Sequence, residues 1–485
     1  IIMNCRFILN TQGEKIMLKR YIGDKAFYRM ALTVALPMMI QNAVTNFVSL
    51  LDNIMVGRVG TLQMTGVSVV NQLLFVFNLC VFGAVAGAGI FTAQFYGRGD
   101  SEGIRQTFRF KIIICALIGI IGLSLFIFKG DDLIRLYLKG DATADERAAA
   151  LRYGKEYLAV MMIGLIPFAL NNAYASSMRE TGQTLVPMIG GIVAVCVNMS
   201  LNYVLIFGKL GMPVLGVKGA AIATVISRYA EIAVNAVWLH SHSERYPYIR
   251  GVYRSLRISA PLLKNIAVKG LPLLINETLW SSSVAVLSQC YSMRGLAVIA
   301  ANNIAGTIWN VFSVCFISLG SATGIIIGQM LGAGKPREEV IDTDRKLIVF
   351  SVVSCTVFGA LMASVSGVFP LIYKTNYAIR SLATLLICVN AVIMPFNAYA
   401  NASYFTLRSG GKTLSTLLFD SCFVWVVSVP TAYVLSRYTS LPILPLYAIC
   451  QGLEIIKCII GFFMLRSGSW IRNIVRTDSG GSIEG

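Results

Sequence analysis

The sequence contains few charged residues and almost no histidine. Asp, Glu, Lys and Arg make up 13% of its 485 residues, whereas a soluble domain carries about 25%. A soluble chain that is 56% hydrophobic would expose large apolar patches and aggregate. The composition therefore excludes an ordinary soluble protein and favours a chain whose apolar surface is solvated by lipid. The only histidines are His240 and His242, which argues against a metal site built from histidine.

Sequence motifs for several kinds of chemistry are missing. The chain has no GxxxxGK[ST] loop, so direct use of ATP is not expected. It has no HExxH motif, and two neighbouring histidines cannot supply a Ser/His/Asp arrangement. The 11 cysteines form no CxxC pair and lie mainly in apolar runs, so we interpret them as small buried apolar residues. We therefore predict that the protein is not an enzyme and has no resident cofactor.

The net charge of +18 comes from Lys and Arg residues that are scattered over short segments. This distribution argues against nucleic acid as a partner, because nucleic acid requires a basic patch on one module. In membrane proteins an excess of Lys and Arg marks the cytoplasmic loops. If the N-terminus is inside, the inside segments hold 26 of the 41 basic residues and the outside loops hold 13. We therefore predict that both termini and the central connector are cytoplasmic.

Twelve stretches of the chain are long and apolar enough to span a membrane as helices, which requires about 20 residues each. They lie near 27–56, 63–96, 108–128, 153–178, 184–207, 218–240, 265–292, 297–331, 345–371, 381–407, 413–437 and 442–466. The predicted organisation is a cytoplasmic N-terminal segment (1–26), an N-lobe (27–240), a cytoplasmic connector (241–263), a C-lobe (264–466) and a cytoplasmic tail (467–485).

The two halves of the chain repeat each other. At an offset of 235 residues, Pro37 corresponds to Pro272 and Gly99 to Gly334; later the offset falls to 228 or 229. We interpret this slip as a longer loop near 129–152. Six spans per half is an even number, so both halves enter the membrane from the same face and the repeat is parallel. The sequence predicts an all-α integral membrane protein with two six-helix lobes related by a pseudo-two-fold axis, a design typical of transporters that alternate access by rocking.

Two isolated acids inside predicted spans are the first candidates for function. A charge at the middle of a span costs about 2.5–3.5 kcal/mol on insertion scales, and neither Asp52 nor Glu277 has a basic residue near it on its own helix face. Asp52 is predicted to bind Na⁺ or a proton. Glu277 is also predicted to bind a cation, because the charge state of a carboxylate in an apolar bundle can be linked to ion or drug binding. The alternative is that Asp52 lies close enough to the interface to be solvated, and that Glu277 is a hydrogen-bonded structural acid.

Other polar residues inside the spans are open to two interpretations. Arg228 and Glu231, and likewise Glu454 and Lys457, are three residues apart and can neutralise each other on one helix face, so we predict structural pairs; Asp420 is left open. Asn198 and Asn202, with Thr224 nearby, can supply oxygen ligands to Na⁺ or can hydrogen-bond across helices. The residues that we predict to line a substrate cleft, with core or lipid contact as the alternative, are Gln41, Asn42, Trp280, Trp309, Asn397 and Tyr399, together with Met293, Phe312 and Trp425.

Several motifs together resemble the multidrug and toxic compound extrusion (MATE) family from about residue 25 to residue 465. They are Asp52-Asn-Ile-Met-Val-Gly57, Gly87-Ala-Gly-Ile-Phe-Thr-Ala-Gln94, Asn198-Met-Ser-Leu-Asn-Tyr-Val-Leu-Ile-Phe-Gly208, Pro272 through Glu277 to Trp280, and Gly328-Gln-Met-Leu-Gly-Ala-Gly334. The resemblance implies a V-shaped antiporter with twelve helices in two lobes. It also implies the export of drugs and dyes in exchange for Na⁺ or H⁺.

The resemblance assigns roles to several of these positions. Asp52 matches the first-helix aspartate that takes the coupling ion, and Glu277 matches the seventh-helix acid of NorM-like members. Asn198, Asn202 and Thr224 match polar positions of the fifth and sixth helices. Two positions where relatives often carry aspartate are Asn202 and Asn397 here, which leaves Na⁺ and H⁺ both open as the ion.

We therefore predict a monomeric, multi-pass protein of the inner (plasma) membrane that exports small amphipathic or cationic compounds. Its expected partners are those small molecules and the lipid bilayer, and its coupling ion is Na⁺ or H⁺. The alternative is a flippase for lipid-linked saccharides, although such flippases line their cleft with Arg and Lys, and the second half has few bases inside its spans. A membrane enzyme or receptor is the third possibility.

Overall fold

The computed structural model describes residues 21–138, 143–373 and 375–476. In this part of the chain we number twelve helices of 23 residues or more, and each corresponds to one predicted span. They are α1 (Lys25–Gly57), α2 (Thr61–Arg98), α3 (Ser101–Tyr137), α4 (Ala144–Glu180), α5 (Leu185–Phe207), α6 (Val217–Ser241), α7 (Ala260–Ser292), α8 (Leu296–Gly332), α9 (Arg337–Val365), α10 (Tyr377–Ser409), α11 (Thr413–Tyr438) and α12 (Ile443–Arg466).

Ten of these helices contain an apolar stretch long enough to cross a membrane. The other two, α1 and α7, are each 33 residues long, which exceeds the roughly 20 residues that a span requires. These two helices carry the acids Asp52 and Glu277, and each contains an internal proline, Pro37 or Pro272. The prediction of an all-α integral membrane protein is confirmed.

Polar sequences at their ends lengthen α3 and α4 beyond the apolar stretches. Asp100 caps α3 because its carboxylate accepts a hydrogen bond from the Gly103 amide at 2.9 Å. α4 begins with a capping box in which Thr143 and Glu146 satisfy each other's backbone amides. The prediction of a long loop near 129–152 was wrong, because α3 continues to Tyr137 and α4 starts at Ala144. The extra residues of the first half are taken up by helix, since α3 and α4 have 37 residues each and their counterparts α9 and α10 have 29 and 33.

Backbone conformation repeats between the halves as the sequence does. Gly99 and Gly334 follow α2 and α8 with left-handed φ angles of 76° and 67°, a conformation that favours glycine because it has no Cβ. Helix pairing repeats in the same way. α4 packs on α2, α3 and α6, and its counterpart α10 packs on α8, α9 and α12. The repeat predicted from sequence therefore describes two similarly built halves.

Contacts divide the chain into two compact units. The N-terminal unit runs from Ile40 to Thr278, and the C-terminal unit combines the described residues up to Met39 with those from Leu279 onward. α1 and α7 therefore contribute residues to both units. The predicted lobe boundaries follow the sequence repeat and stay a prediction. Most of the predicted N-terminal segment, and the tail after residue 476, lie outside the described residues.

The core of the N-terminal unit combines apolar packing with a buried ion pair. Phe77, Cys115 and Ala169 are among the buried residues that hold α2, α3 and α4 together. Nearby, the fully buried ammonium of Lys111 pairs with Glu180 and donates to Ser176 Oγ at 2.8 Å. Because a buried charge requires both a partner and hydrogen bonds, this group fixes the end of α4 against α3.

The connector between α6 and α7 is held against the N-terminal unit by a buried arginine. Arg109 of α3 donates from Nε to Val252 O at 2.9 Å and from its terminal nitrogens to Gly251 O and Arg257 O, both at 3.2 Å. Charge-assisted bonds of this kind are stronger than neutral ones. The connector, including its two short 3₁₀ turns at Pro247–Ile249 and Val252–Arg254, is therefore anchored to α3.

In the C-terminal unit, apolar residues of α8, α9 and α10 form the core together with the start of α1, represented by Ala35. The segment after α12 also belongs to this core. Trp470 is 1% exposed, and its indole donates to Leu465 O at 3.0 Å. A Cβ on Gly410 would lie 1.7 Å from Trp470 O, so only glycine fits the turn that faces this backbone. Residues 467–485 were predicted to form a cytoplasmic tail, and the packing of Trp470 in the core was not predicted.

We predict that Lys111→Met lowers the free energy of unfolding by about 3–5 kcal/mol, because it removes the buried ammonium that pairs with the Glu180 carboxylate. The double variant Lys111→Met/Glu180→Gln recovers most of this loss. Thermal unfolding of the purified protein in detergent measures both. Lys129→Met is the control, since Lys129 pairs with Asp132 on the surface with both side chains about two-thirds exposed. An equal loss in the control would contradict the prediction.

Candidate functional site

The predicted ion-binding residues Asp52 and Asn202 meet inside the N-terminal unit. The amide nitrogen of Asn202 on α5 donates to Asp52 Oδ1 on α1 at 2.6 Å. Asn202 is 1% exposed, and Asp52 is half-buried. The contact fixes one carboxylate oxygen of Asp52.

The hydrogen-bond network continues from Asn202 to α6. Asn202 Nδ2 also donates to Asn198 Oδ1 at 3.0 Å, and Asn198 Nδ2 donates to the Thr224 hydroxyl at 3.2 Å. The Thr224 hydroxyl donates its own hydrogen bond to Ala220 O at 3.0 Å. Asn198 and Asn202 are four residues apart, so they lie on one face of α5. The structure thus brings Asp52, Asn198, Asn202 and Thr224 into one network, and their role in ion binding stays a prediction.

One atom of this network has no hydrogen bond to any described residue. It is the side-chain oxygen of Asn202, which is buried while its amide nitrogen makes two bonds. An unsatisfied buried acceptor costs about 1–3 kcal/mol, so such an atom calls for a ligand or a water molecule. Carboxylate and amide oxygens are the donors that hard cations prefer. The residues present therefore fit a small cation beside Asp52.

Arg228 and Glu231 add further charge to the same part of the N-terminal unit. They form the predicted pair on α6, with Arg228 Nη1 3.2 Å from Glu231 Oε2. The Arg228 charge also acts on Asp52, and its guanidinium lies over the Phe168 ring. The prediction for Asp52 concerned only its own helix face, and the basic group near it comes from another helix, α6.

Tyr157 is a member of this region that the sequence analysis missed. It is 6% exposed, and its hydroxyl donates a hydrogen bond to Asn71 Oδ1 at 3.4 Å. The same hydroxyl group interacts electrostatically with Asp52. A single tyrosine in an apolar run gives no signal of this kind in the sequence. Its position depends on the packing of α4 against α2.

The C-terminal unit contains a second group of charges, formed by Asp420, Glu454 and Lys457, which we name the acid–lysine cluster. Glu454 and Lys457 form the predicted pair, with 3.6 Å between Oε1 and Nζ. The nearer partner of Lys457 is Asp420 of α11, at 2.7 Å. The sequence analysis left Asp420 open because nothing in the sequence shows that α11 and α12 bring these two residues together.

Glu277 and the predicted cleft residues lie on several helices. Glu277 is half-buried on α7, next to the buried Asn276. Trp280 is 45% exposed, whereas Trp309 packs against Phe316 with 5.6 Å between ring centroids. Gln41 and Asn42 belong to the N-terminal unit, and Trp280, Trp309, Asn397 and Tyr399 to the C-terminal unit. A shared substrate cleft therefore stays a prediction.

Known proteins with a similar sequence or fold are membrane transporters. The chain is 23% identical over 446 residues to "Probable multidrug resistance protein NorM" of Thermotoga maritima, covering 92% of this chain and 94% of that one. It is 26% identical over 451 residues to "Probable multidrug resistance protein YoeA" of Bacillus subtilis, covering 90% and 92%. A solved "multidrug resistance MATE family transporter of the MOP superfamily" in an outward-facing conformation matches with a TM-score of 0.82 at 21% identity, over 93% of this chain and 98% of that one.

The fold and the buried polar network thus define a multi-pass membrane transporter. The sequence model of the MatE family matches residues 37–204 and 272–434, more than half of the chain. The chain belongs to the MatE family, as the motifs predicted. The two matched segments begin at Pro37 and Pro272, which are also the first corresponding pair of the internal repeat.

We predict that Asp52→Ala and Asn202→Ala are coupled by about 1.5–3 kcal/mol, the usual contribution of a hydrogen bond to a charged group. The coupling follows from a double-mutant cycle on unfolding free energies. Asn202→Ala combined with Asp131→Ala is the control, since Asp131 pairs with Lys155 at the surface. The control should be additive within about 0.5 kcal/mol. Additivity in both cycles would mean that the Asp52–Asn202 bond does not exist in solution.

Proposed function

We propose that this protein exports small amphipathic or cationic compounds in exchange for Na⁺ or H⁺, and that Asp52 takes the coupling ion. The observation that carries the proposal is the buried network around Asp52, which ends in an unsatisfied amide oxygen. The names of its relatives as multidrug resistance proteins support the class of substrate.

The charges around Asp52 make ion binding favourable. Asp52 contributes a negative charge inside the membrane, beside the Arg228–Glu231 pair of α6, whose acid is also near Arg179. A bound Na⁺ or proton brings the charge to zero, which lowers the cost of keeping the group away from water. Asn202 Oδ1 and the Asp52 carboxylate supply the ligands for Na⁺, whereas the carboxylate alone suffices for a proton.

Coupling requires that the ion and the substrate favour different states of the transporter. A ligand shifts a two-state equilibrium only by its difference in affinity for the two states. We propose that the ion binds at Asp52 when the exported compound has left, and that Glu277 and the aromatic residues predicted for the cleft take part in binding the compound. We place the protein in the cell membrane as a monomer with both termini in the cytoplasm.

We predict that Asp52→Asn abolishes ion-driven ethidium efflux from proteoliposomes and leaves the protein folded, because Asn keeps the shape of the side chain and removes its charge. Na⁺ and pH gradients are imposed separately, so that the gradient that drives wild-type efflux identifies the ion. Asp132→Asn, which removes an exposed carboxylate, is the matched control and should transport normally.

Undiminished efflux by Asp52→Asn would remove this residue from the mechanism. Absence of ethidium efflux from the wild-type protein, combined with transfer of lipid-linked saccharides across the bilayer, would support the flippase alternative instead.

A further inference from the structure

The connector between α6 and α7 carries more positive charge than its own acid can balance. Residues 241–263 contain four arginines and a single acid, Glu244. Glu244 lies 3.5 Å from Arg250, and the two side chains are 93% and 56% exposed, so water screens this pair. Arg254 is exposed and forms no ion pair with any described residue. The surface of the connector therefore attracts anions.

A cavity of about 280 Å³ opens beside two of these arginines. Arg250 and Arg254 line it together with Ser243, Tyr253 and His240, the last of which belongs to the final turn of α6. Pockets for drug-sized ligands measure about 300–1,000 Å³, so this cavity suits a smaller group. Guanidinium groups bind phosphate through paired hydrogen bonds, and serine and tyrosine hydroxyls can add further donors. The lining therefore matches a phosphate group.

The aromatic wall of the cavity is held in place by contacts among its own side chains. The hydroxyl of Tyr174 on α4 lies 3.1 Å from His240 Nε2 and also contacts the Tyr253 hydroxyl. The rings of His240 and Tyr253 stack with 5.7 Å between their centroids. Because these side chains are already fixed, a ligand does not have to order them when it binds.

The backbone around the cavity is anchored to α3. Besides the three bonds from Arg109, Arg105 donates from Nε to Tyr248 O at 3.2 Å and from Nη2 to Pro247 O at 3.1 Å. Gly251, which lies between the two arginines of the cavity, has a left-handed φ angle of 69°, a conformation that favours glycine. The connector therefore presents a preformed site.

The cavity lies at the end of a membrane span. α6 is long and apolar enough to cross the membrane, and it ends at Ser241, one residue after His240. In the connector, Tyr253 and Leu256 are 55% and 62% exposed. Tyrosine is enriched where proteins meet lipid headgroups, and an exposed leucine gains by contact with acyl chains. These neighbours favour a phosphate that belongs to a lipid over a phosphate free in solution.

The two arginines of the cavity favour a lipid with a net negative charge. Phosphatidylcholine and phosphatidylethanolamine carry a cation beyond the phosphate, and Arg250 and Arg254 would repel it. In phosphatidylglycerol the group beyond the phosphate is a neutral glycerol, which meets no such repulsion. Each basic residue near an anionic membrane surface contributes about 1 kcal/mol of attraction.

We propose that the connector cavity is a binding site for the headgroup of an anionic phospholipid. Arg250 and Arg254 bind the phosphate oxygens, Ser243 donates to the headgroup, and Tyr253 and Leu256 contact the lipid chains. The site shares no residue with the network proposed for ion binding, so it does not depend on which ion drives export.

The test measures lipid binding to the full-length protein in detergent. Short-chain phosphatidylglycerol is titrated into the protein, and the rise in melting temperature gives the half-saturating concentration. Phosphatidylcholine with the same chains should give a smaller rise. We expect Arg250→Gln/Arg254→Gln to increase the half-saturating concentration of phosphatidylglycerol at least about tenfold, which corresponds to the loss of one hydrogen bond between charged groups.

Arg245→Gln/Arg257→Gln is the matched control. It removes the same charge from the same connector at two positions that do not line the cavity, and it should leave the half-saturating concentration nearly unchanged. An equal loss in both double variants would mean that the lipid is attracted by diffuse charge, and it would overturn the proposal. Equal effects of the two lipids on the wild-type protein would overturn it as well.

Inorganic phosphate distinguishes a lipid site from a site for free phosphate. Leu256→Gln should weaken the binding of phosphatidylglycerol, because it removes an apolar contact that only a lipid can use. Stabilisation by inorganic phosphate at the concentrations at which phosphatidylglycerol acts, with no effect of Leu256→Gln on either ligand, would assign the cavity to free phosphate instead. If the double arginine variant fails to fold, native mass spectrometry of Arg254→Gln decides, with the loss of one bound phosphatidylglycerol as the expected result and full retention as the contrary one.

Discussion

The cost of placing a charge away from water is the constraint on which the rest of this structure depends. Several buried charged side chains have neighbours that compensate them. Lys111 has Glu180, Arg109 has three backbone carbonyls, and Lys457 has two carboxylates. At Asp52, where we propose ion binding, the nearby Arg228 is shared with Glu231. The two kinds of buried charge differ in how fully the contacting groups balance the charge.

The sequence predicted the helices well because hydropathy and length determine a membrane span almost by themselves. It also predicted the grouping of Asn198 and Asn202, since residues four apart share a helix face. It failed at 129–152, where the slip in the repeat offset was interpreted as a longer loop. Capping by Thr143 and Asp100 shows why, because a helix can continue past the apolar stretch when its first amides are satisfied.

Contacts between helices that are distant in the sequence could not be predicted from the sequence. Arg228 near Asp52 and Asp420 against Lys457 depend on how α6, α11 and α12 pack.

The burial of Trp470 has a consequence for how the protein is made. The turn at Gly410 packs against the backbone of Trp470, which follows α12 by four residues. A ribosome that has completed all twelve helices has therefore not yet supplied the residue that covers this turn. The C-terminal unit reaches its final packing only after the last helix has been inserted, and until then the surface around Gly410 is open to chaperones and proteases.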